Sequence, residues 1–181
     1  LQVALRANGY GDSEVVYNGV DLDWWGSGDG TVFRSDHNLG DAPLALLAAR
    51  VSREKGAEAA LHALARSRNS DLRLMIAGEN PRYVPLLRHM AETLGVGERL
   101  LLPGWLDVNE MRDAYSAATV TLAPSTYPDP FNLTLIESMA MGRPVIASSL
   151  GAGPELIDDG HTGYVVDPTD VAAFADRLDL V

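Results

Sequence analysis

Short apolar runs rich in Leu, Val and Ile alternate along this chain with stretches whose apolar residues recur at helical spacing. That alternation is the strongest constraint on the fold. A strand buried on both faces needs helices above and below it, and helices that join successive strands force those strands to lie parallel. Strands are expected at 14–18, 43–49, 71–77, 99–102, 119–123, 144–148 and 163–166, and helices at 54–67, 81–94, 108–118, 130–141, 153–159 and 169–179. The expected class is α/β: an open, Rossmann-like parallel sheet of about six strands with helices on both faces. Pro81 suits a helix start and Gly95 a helix end, while Leu61, Leu64 and Ala65 recur as a buried stripe. Residues 21–42, with Gly26, Gly28 and Gly30, read as a loop followed by a short helix. Trp24 and Trp25 beside it either face another domain or pack over this domain's own edge.

A chain of 181 residues with 46 % apolar types fits one compact domain. Leu1 to Gly9 reads as the end of a helix already under way, and the last helical pattern reaches Val181 without a stop signal. The expectation is a single domain of a larger protein, with residues 1–13 the tail of a preceding linker or helix. The formal charge of −11, with 14 scattered Lys and Arg, argues against a nucleic-acid partner, so any anionic ligand has to be held by local cations and backbone N–H groups. The absence of cysteine excludes disulfides and thiolate metal sites, and His37, His62, His89 and His161 lack metal-ligand spacing, so no metal is expected. The apolar runs are too short and too interrupted for a transmembrane span. The expected location is cytoplasmic, the inner membrane surface included.

In an open parallel sheet ligands gather beyond the carboxyl ends of the strands. Arg50 ends the 43–49 strand, Lys55 follows it, and STYPDPFNLTLIE follows the 119–123 strand. Asp129-Pro130 has the grammar of a helix start, with Asp129 as cap. Such a start leaves the N–H groups of Asn132, Leu133 and Thr134 without intrahelical partners, which suits a phosphate. Arg50 offers a planar fork and Lys55 a mobile point charge for the same diphosphate. Glu137, on the otherwise apolar LIESMA flank, needs a polar partner, and both it and Asp129 are apt acceptors for vicinal hydroxyls. Trp105, Leu106 and Tyr127 are candidates to lie near a nucleobase, with the core edge an equal alternative for Trp105 and Leu106. GAGPE (151–155) reads as a structural turn.

The elements VYNGVD (16–21), AARVSREKG (48–56), LMIAGE (74–79), PGWLDVNEM (103–111), DPFNLTLIESMAMGRPVIAS (129–148) and GAGPELIDDGHTGYVVDP (151–168) follow one another in an order and spacing that is similar to the retaining glycosyltransferases of the GT-B fold, group 1 or family four. The resemblance implies a C-terminal domain that binds a nucleoside-diphosphate sugar (UDP-, GDP- or ADP-sugar), needs no cofactor, and acts on an acceptor sugar, lipid or small molecule held by an N-terminal domain absent from the sequence. It implies that Arg50 and Lys55 grip the diphosphate, that Asp129 contacts the sugar and Glu137 the ribose, and that the amides of Leu133 and Thr134 help hold the phosphates. Two positions depart from the pattern. Asp129 stands where Glu is usual, and Asn132 stands where Gly is usual and either narrows the phosphate pocket or donates its own amide. A non-catalytic sugar-nucleotide module, or another GT-B enzyme such as a sugar-nucleotide epimerase, is the alternative.

Overall fold

The computed structural model describes residues 2–11 and 13–180, so Leu1, Asp12 and Val181, at the margins of the expected linker and last helix, lie outside the described residues. The elements are α1 (Gln2–Ala7), α2 (Leu22–Trp25), α3 (Gly30–Asp36), β1 (Leu44–Ala48), α4 (Ala57–Arg66), β2 (Arg73–Ala77), α5 (Val84–Thr93), β3 (Leu100–Gly104), α6 (Val108–Ala117), β4 (Val120–Ala123), α7 (Leu133–Ala140), β5 (Val145–Ser148), α8 (Gly153–Leu156), β6 (Gly163–Val166) and α9 (Val171–Leu178).

The six strands form one sheet in the order β3-β2-β1-β4-β5-β6, every pair parallel. The chain enters at β1, winds outward through β2 and β3, and returns to the other side of β1 to wind outward again from β4. Connections leaving β1 and β4 therefore diverge, and a crevice opens beyond the carboxyl ends of these two neighbours. The two-residue period of the strands sorts the core into layers. Ala45, Leu47, Leu74 and Ile76 pack with Leu61 and Leu64 of α4, Leu87 of α5 and Phe174 of α9. Leu44, Leu46, Met75 and Ala77 pack with Phe33 of α3 and Tyr115 of α6. No helix among the described residues is long and apolar enough to cross a membrane.

The expected strand at 14–18 is not one. Residues 13–21 run without regular structure, and Val15, Val16 and Tyr17 are exposed, because β-favouring side chains make a strand only where a sheet edge and a buried face receive them. Residues 21–42 hold two helices rather than one, with Asp21 capping α2 through the Trp24 N–H and Asp29 capping α3 through the Thr31 N–H. Trp25 is buried and meets the Tyr115 ring edge to face, so the tryptophan pair packs on its own domain.

Candidate functional site

The loops after β1 and β4 are stitched together above the crevice. The Thr126 N–H donates to the Glu54 carbonyl at 2.8 Å, and the Thr134 hydroxyl donates to the Ala48 carbonyl at 3.1 Å, which ties the start of α7 to the end of β1. Gly56 makes the approach possible: its φ is +79°, and a Cβ there would lie 2.1 Å from the Pro124 carbonyl oxygen. The turn at 151–153 braces the other side. Gly151, at φ +83°, forms a parallel bridge with Asp129, and the Ala152 N–H donates to the Asp129 carbonyl at 3.0 Å.

Within this frame the Lys55 ammonium donates to Asp129 Oδ2 at 2.7 Å and lies 5.2 Å from the centre of the Tyr127 ring. Burial pulls the Lys55 pKa down, but the hydrogen bond to Asp129 and the neighbouring Tyr127 outweigh it and the net shift is upward. Asp129 is not the helix cap that Asp129-Pro130 suggests. Asn132 is: α7 begins at Leu133, and Asn132 Oδ1 accepts the Thr134 N–H at 3.1 Å. The bridge to Gly151 and the pull of Lys55 hold Asp129 in extended backbone, so the later of two capping residues starts the helix. The Thr134 amide is consequently occupied by the Asn132 side chain. The N–H groups of Asn132 and Leu133 have no hydrogen-bond partner among the described residues.

Beside the helix start a cleft of about 510 Å³ is walled by Trp25, Ala48, Ala49, Trp105 and Leu106, with the charged Arg50, Glu79, Asp107 and Glu137 on it. The Arg50 side chain is exposed and makes no hydrogen bond or ion pair among the described residues. Glu137 is half-buried, and its Oε2 accepts the Tyr115 hydroxyl at 2.8 Å. Burial raises the Glu137 pKa, opposed by the Tyr115 donor, and burial together with the Glu137 charge pushes the Tyr115 phenol well up.

Of the residues singled out from sequence, Lys55 and Asp129 are in contact, Asn132, Leu133 and Thr134 form the helix start, and Arg50 and Glu137 share the cleft. Trp105 and Leu106 also line the cleft, whereas Tyr127 stands beside Lys55 instead. Glu79 and Tyr115 carry no sequence-based expectation, and Trp25 carries one for packing but not for the site. Glu79 closes LMIAGE at the end of β2, a position from which strand-end logic leads to it. Chemically the arrangement joins cations and open amides, suited to an anion, to carboxylates suited to hydroxyls.

The family model described as glycosyl transferases group 1 matches residues 42–181. The chain belongs to the group 1 glycosyl transferases. Among curated relatives, this group 1 chain is 33 % identical over 148 residues to the GDP-mannose-dependent alpha-(1-6)-phosphatidylinositol monomannoside mannosyltransferase of Mycolicibacterium smegmatis, covering 77 % of this chain and 38 % of that one. It is 33 % identical over 174 residues to the D-inositol 3-phosphate glycosyltransferase 1 of Catenulispora acidiphila, covering 90 % of this chain and 41 % of that one. The chain thus spans about two fifths of the length of these relatives. Among solved structures, the C-terminal domain of a group 1 family protein from Francisella tularensis superposes with a TM-score of 0.78 at 26 % identity, covering 90 % of this chain and 87 % of that one. An Anabaena protein crystallised with UDP and glucose superposes at 0.91 and 24 % identity, covering 99 % of this chain and 50 % of that one, and shares the fold of this group 1 domain.

Proposed function

We propose that this chain is the donor-binding, C-terminal domain of a retaining glycosyltransferase that transfers a sugar from a nucleoside diphosphate to an acceptor hydroxyl. The observation that carries the reading is the start of α7: the open amides of Asn132 and Leu133 lie beside the Lys55–Asp129 contact, with Arg50, which makes no hydrogen bond among the described residues, on the adjoining cleft. A diphosphate satisfies all of these groups at once, because the helix terminus attracts negative charge and the two cations supply what an acidic domain otherwise lacks. Arg50 and Lys55 grip the phosphates, Asp129 receives sugar hydroxyls, and Glu137 receives the ribose. Asn132 shapes the helix start by taking the Thr134 N–H, so Thr134 serves through its hydroxyl on Ala48 while Asn132 and Leu133 present the free amides.

In the reaction the bond from the anomeric carbon to the diphosphate oxygen breaks, the acceptor oxygen bonds to that carbon on the same face, and the acceptor proton is released. Negative charge grows on the leaving diphosphate, and Arg50, Lys55 and the helix start stabilise it without a metal. An N-terminal domain presents the acceptor, a sugar, a lipid or a small molecule, and its closure over the cleft excludes water. This chain by itself binds donor weakly and transfers nothing, in a cytoplasmic setting that includes the inner membrane surface. The Mycolicibacterium relative named for GDP-mannose and the Anabaena protein crystallised with UDP and glucose support a nucleotide-sugar donor and leave the base open among UDP, GDP and ADP.

A thermal-shift screen of this chain against UDP, GDP, ADP and their sugars, with and without a chelator, tests the reading. One nucleotide should raise the melting temperature whether or not the chelator is present. If none of them does so at millimolar concentration, the donor site is lost as an explanation. A donor-hydrolysis assay on the full-length protein separates an enzyme from a binding module.

A further inference from the structure

Glu137 is the carboxylate assigned above to the ribose, and the structure holds it with a group that no motif marks. It projects from a largely apolar stretch of α7 into the cleft, half-buried. Its Oε2 accepts the hydroxyl of Tyr115, which is wholly buried in α6. The Tyr115 ring is itself wedged: Trp25 meets it edge to face with centroids 5.4 Å apart, Trp24 meets Trp25 in the same manner at 4.9 Å, and the Arg112 guanidinium covers Trp24 at 5.0 Å. A column of rings therefore runs from α2 through α6 and ends on one oxygen of a cleft carboxylate.

We propose that Tyr115 is a positioning residue, pinning Oε2 of Glu137 so that Oε1 is presented to the ribose hydroxyls of the bound nucleotide. The proposal rests on the donor reading and deepens it. A glutamate with three rotatable side-chain bonds loses that freedom on binding a ligand, and a donor already in place removes part of the loss beforehand. The Tyr115 proton stays on its oxygen across the neutral range because burial disfavours the phenolate, so the phenol is a permanent donor to a group that only accepts when ionised. The competing account is that a buried phenol simply needs an acceptor and Glu137 is the one within reach. On that account loss of the hydroxyl alters stability but not which hydroxyls of a nucleotide are sensed.

Calorimetry of this chain with UDP, GDP and ADP, and with the 2′,3′-dideoxy form of whichever binds, separates the two. The wild-type chain should prefer the ribonucleotide by about tenfold or more, the scale of a hydrogen bond to a charged group. Tyr115→Phe, which keeps the ring, should lose most of that preference while binding the dideoxy form as the wild type does. In the Glu137→Gln background the same substitution should cost no further preference. Undiminished ribose preference in Tyr115→Phe overturns the proposal and leaves the donor site standing. A wild-type chain that binds none of the three nucleotides overturns the donor reading and this proposal with it. Should Tyr115→Phe fail to fold, Trp25→Phe, which withdraws the brace and leaves the hydroxyl, is read the same way: a several-fold loss of preference supports the column, and none refutes it.

Discussion

The two ends of the β1–β4 seam use their cations in opposite ways. At the amino ends Arg34 donates to the carbonyls of Gly40 at 2.9 Å and Ala117 at 2.7 Å, and also to that of Ala42, closing the approaches to both strands. Nearby, Arg99 donates to the carbonyls of Asn69 and Leu64, each at 2.9 Å. At the carboxyl ends Arg50 donates to nothing among the described residues, and Lys55 is held by a carboxylate rather than by the backbone. An arginine whose donors are spent on loop carbonyls is a structural tie. One that makes no hydrogen bond among the described residues, with the nearby Glu54 charge for company, still has its donors to offer a ligand. The comparison therefore separates an end whose cations tie the fold together from one whose cations, on the proposed reading, hold a ligand.

The largest effect that could break this contrast is on turnover. In the full-length protein Arg50→Ala and Lys55→Ala should each cost about 2–4 kcal/mol of transition-state stabilisation, lowering kcat by orders of magnitude, by analogy with removing one preorganised electrostatic donor. The melting temperature should hardly move for Arg50→Ala. Steady-state kinetics alongside thermal denaturation measure both, and wild-type rates in both variants would remove the cations from the reaction.

Arg34→Ala should show the reverse pattern. Several carbonyl partners lose a charged donor at once, and urea unfolding should register a loss of about 2–4 kcal/mol, while nucleotide affinity per folded molecule stays as in the wild type. A variant as stable as the wild type would erase the distinction between the two ends.

Gly151→Ala tests the brace behind Asp129. A methyl group there meets the Asp129 carbonyl at 2.1 Å in a backbone region that L residues avoid, so either the bridge opens or the strain is absorbed at a cost of about 1–3 kcal/mol. Opening the bridge frees Asp129 from its extended conformation. The expected signature is a larger loss of affinity, relative to the wild type, for the nucleotide sugar than for the nucleotide alone, read by comparing the two in calorimetry. Equal losses for both would place the brace elsewhere in the site.

Much of this contrast is readable from the chain and part of it is not. The sheet strands could be located because a strand covered on both faces is apolar throughout, and the positions of Arg50 and Lys55 followed from where β1 stops. The start of α7 is not legible in the chain because Asp129 and Asn132 are both good caps three residues apart. The choice between them is made by Gly151 and Lys55, which are distant in sequence. The segment 14–18 has the composition of a strand but no sheet edge receives it, a fact of topology rather than of composition. Tyr115 occupies a buried position of an amphipathic helix, and its hydroxyl finds Glu137 on the next helix but only in three dimensions. Arg34 gives no signal in advance, since its partners are backbone carbonyls that every residue possesses.

The smallest expected effect concerns Glu137 and sharpens the contrast from the side of stability. Burial raises its pKa in the folded chain above the ordinary glutamate value. A group raised on folding contributes stability that is fully present below its unfolded pKa and is lost as the pH climbs through the folded value. Wherever the pH ionises it, the buried Glu137 carboxylate costs stability, a cost that fits the proposed ribose-binding role better than a purely structural one. Glu137→Gln keeps an acceptor for the Tyr115 hydroxyl and removes the buried charge. It should raise the melting temperature at pH 7 by roughly 1–3 °C, with the gain shrinking toward zero as the pH falls to about 4, while ribose recognition weakens. Melting curves of the two proteins across that range check the sign. A gain that persists unchanged at acid pH would show that the charge is not its source, and a variant less stable than the wild type at pH 7 would make Glu137 part of the scaffold, as Arg34 is.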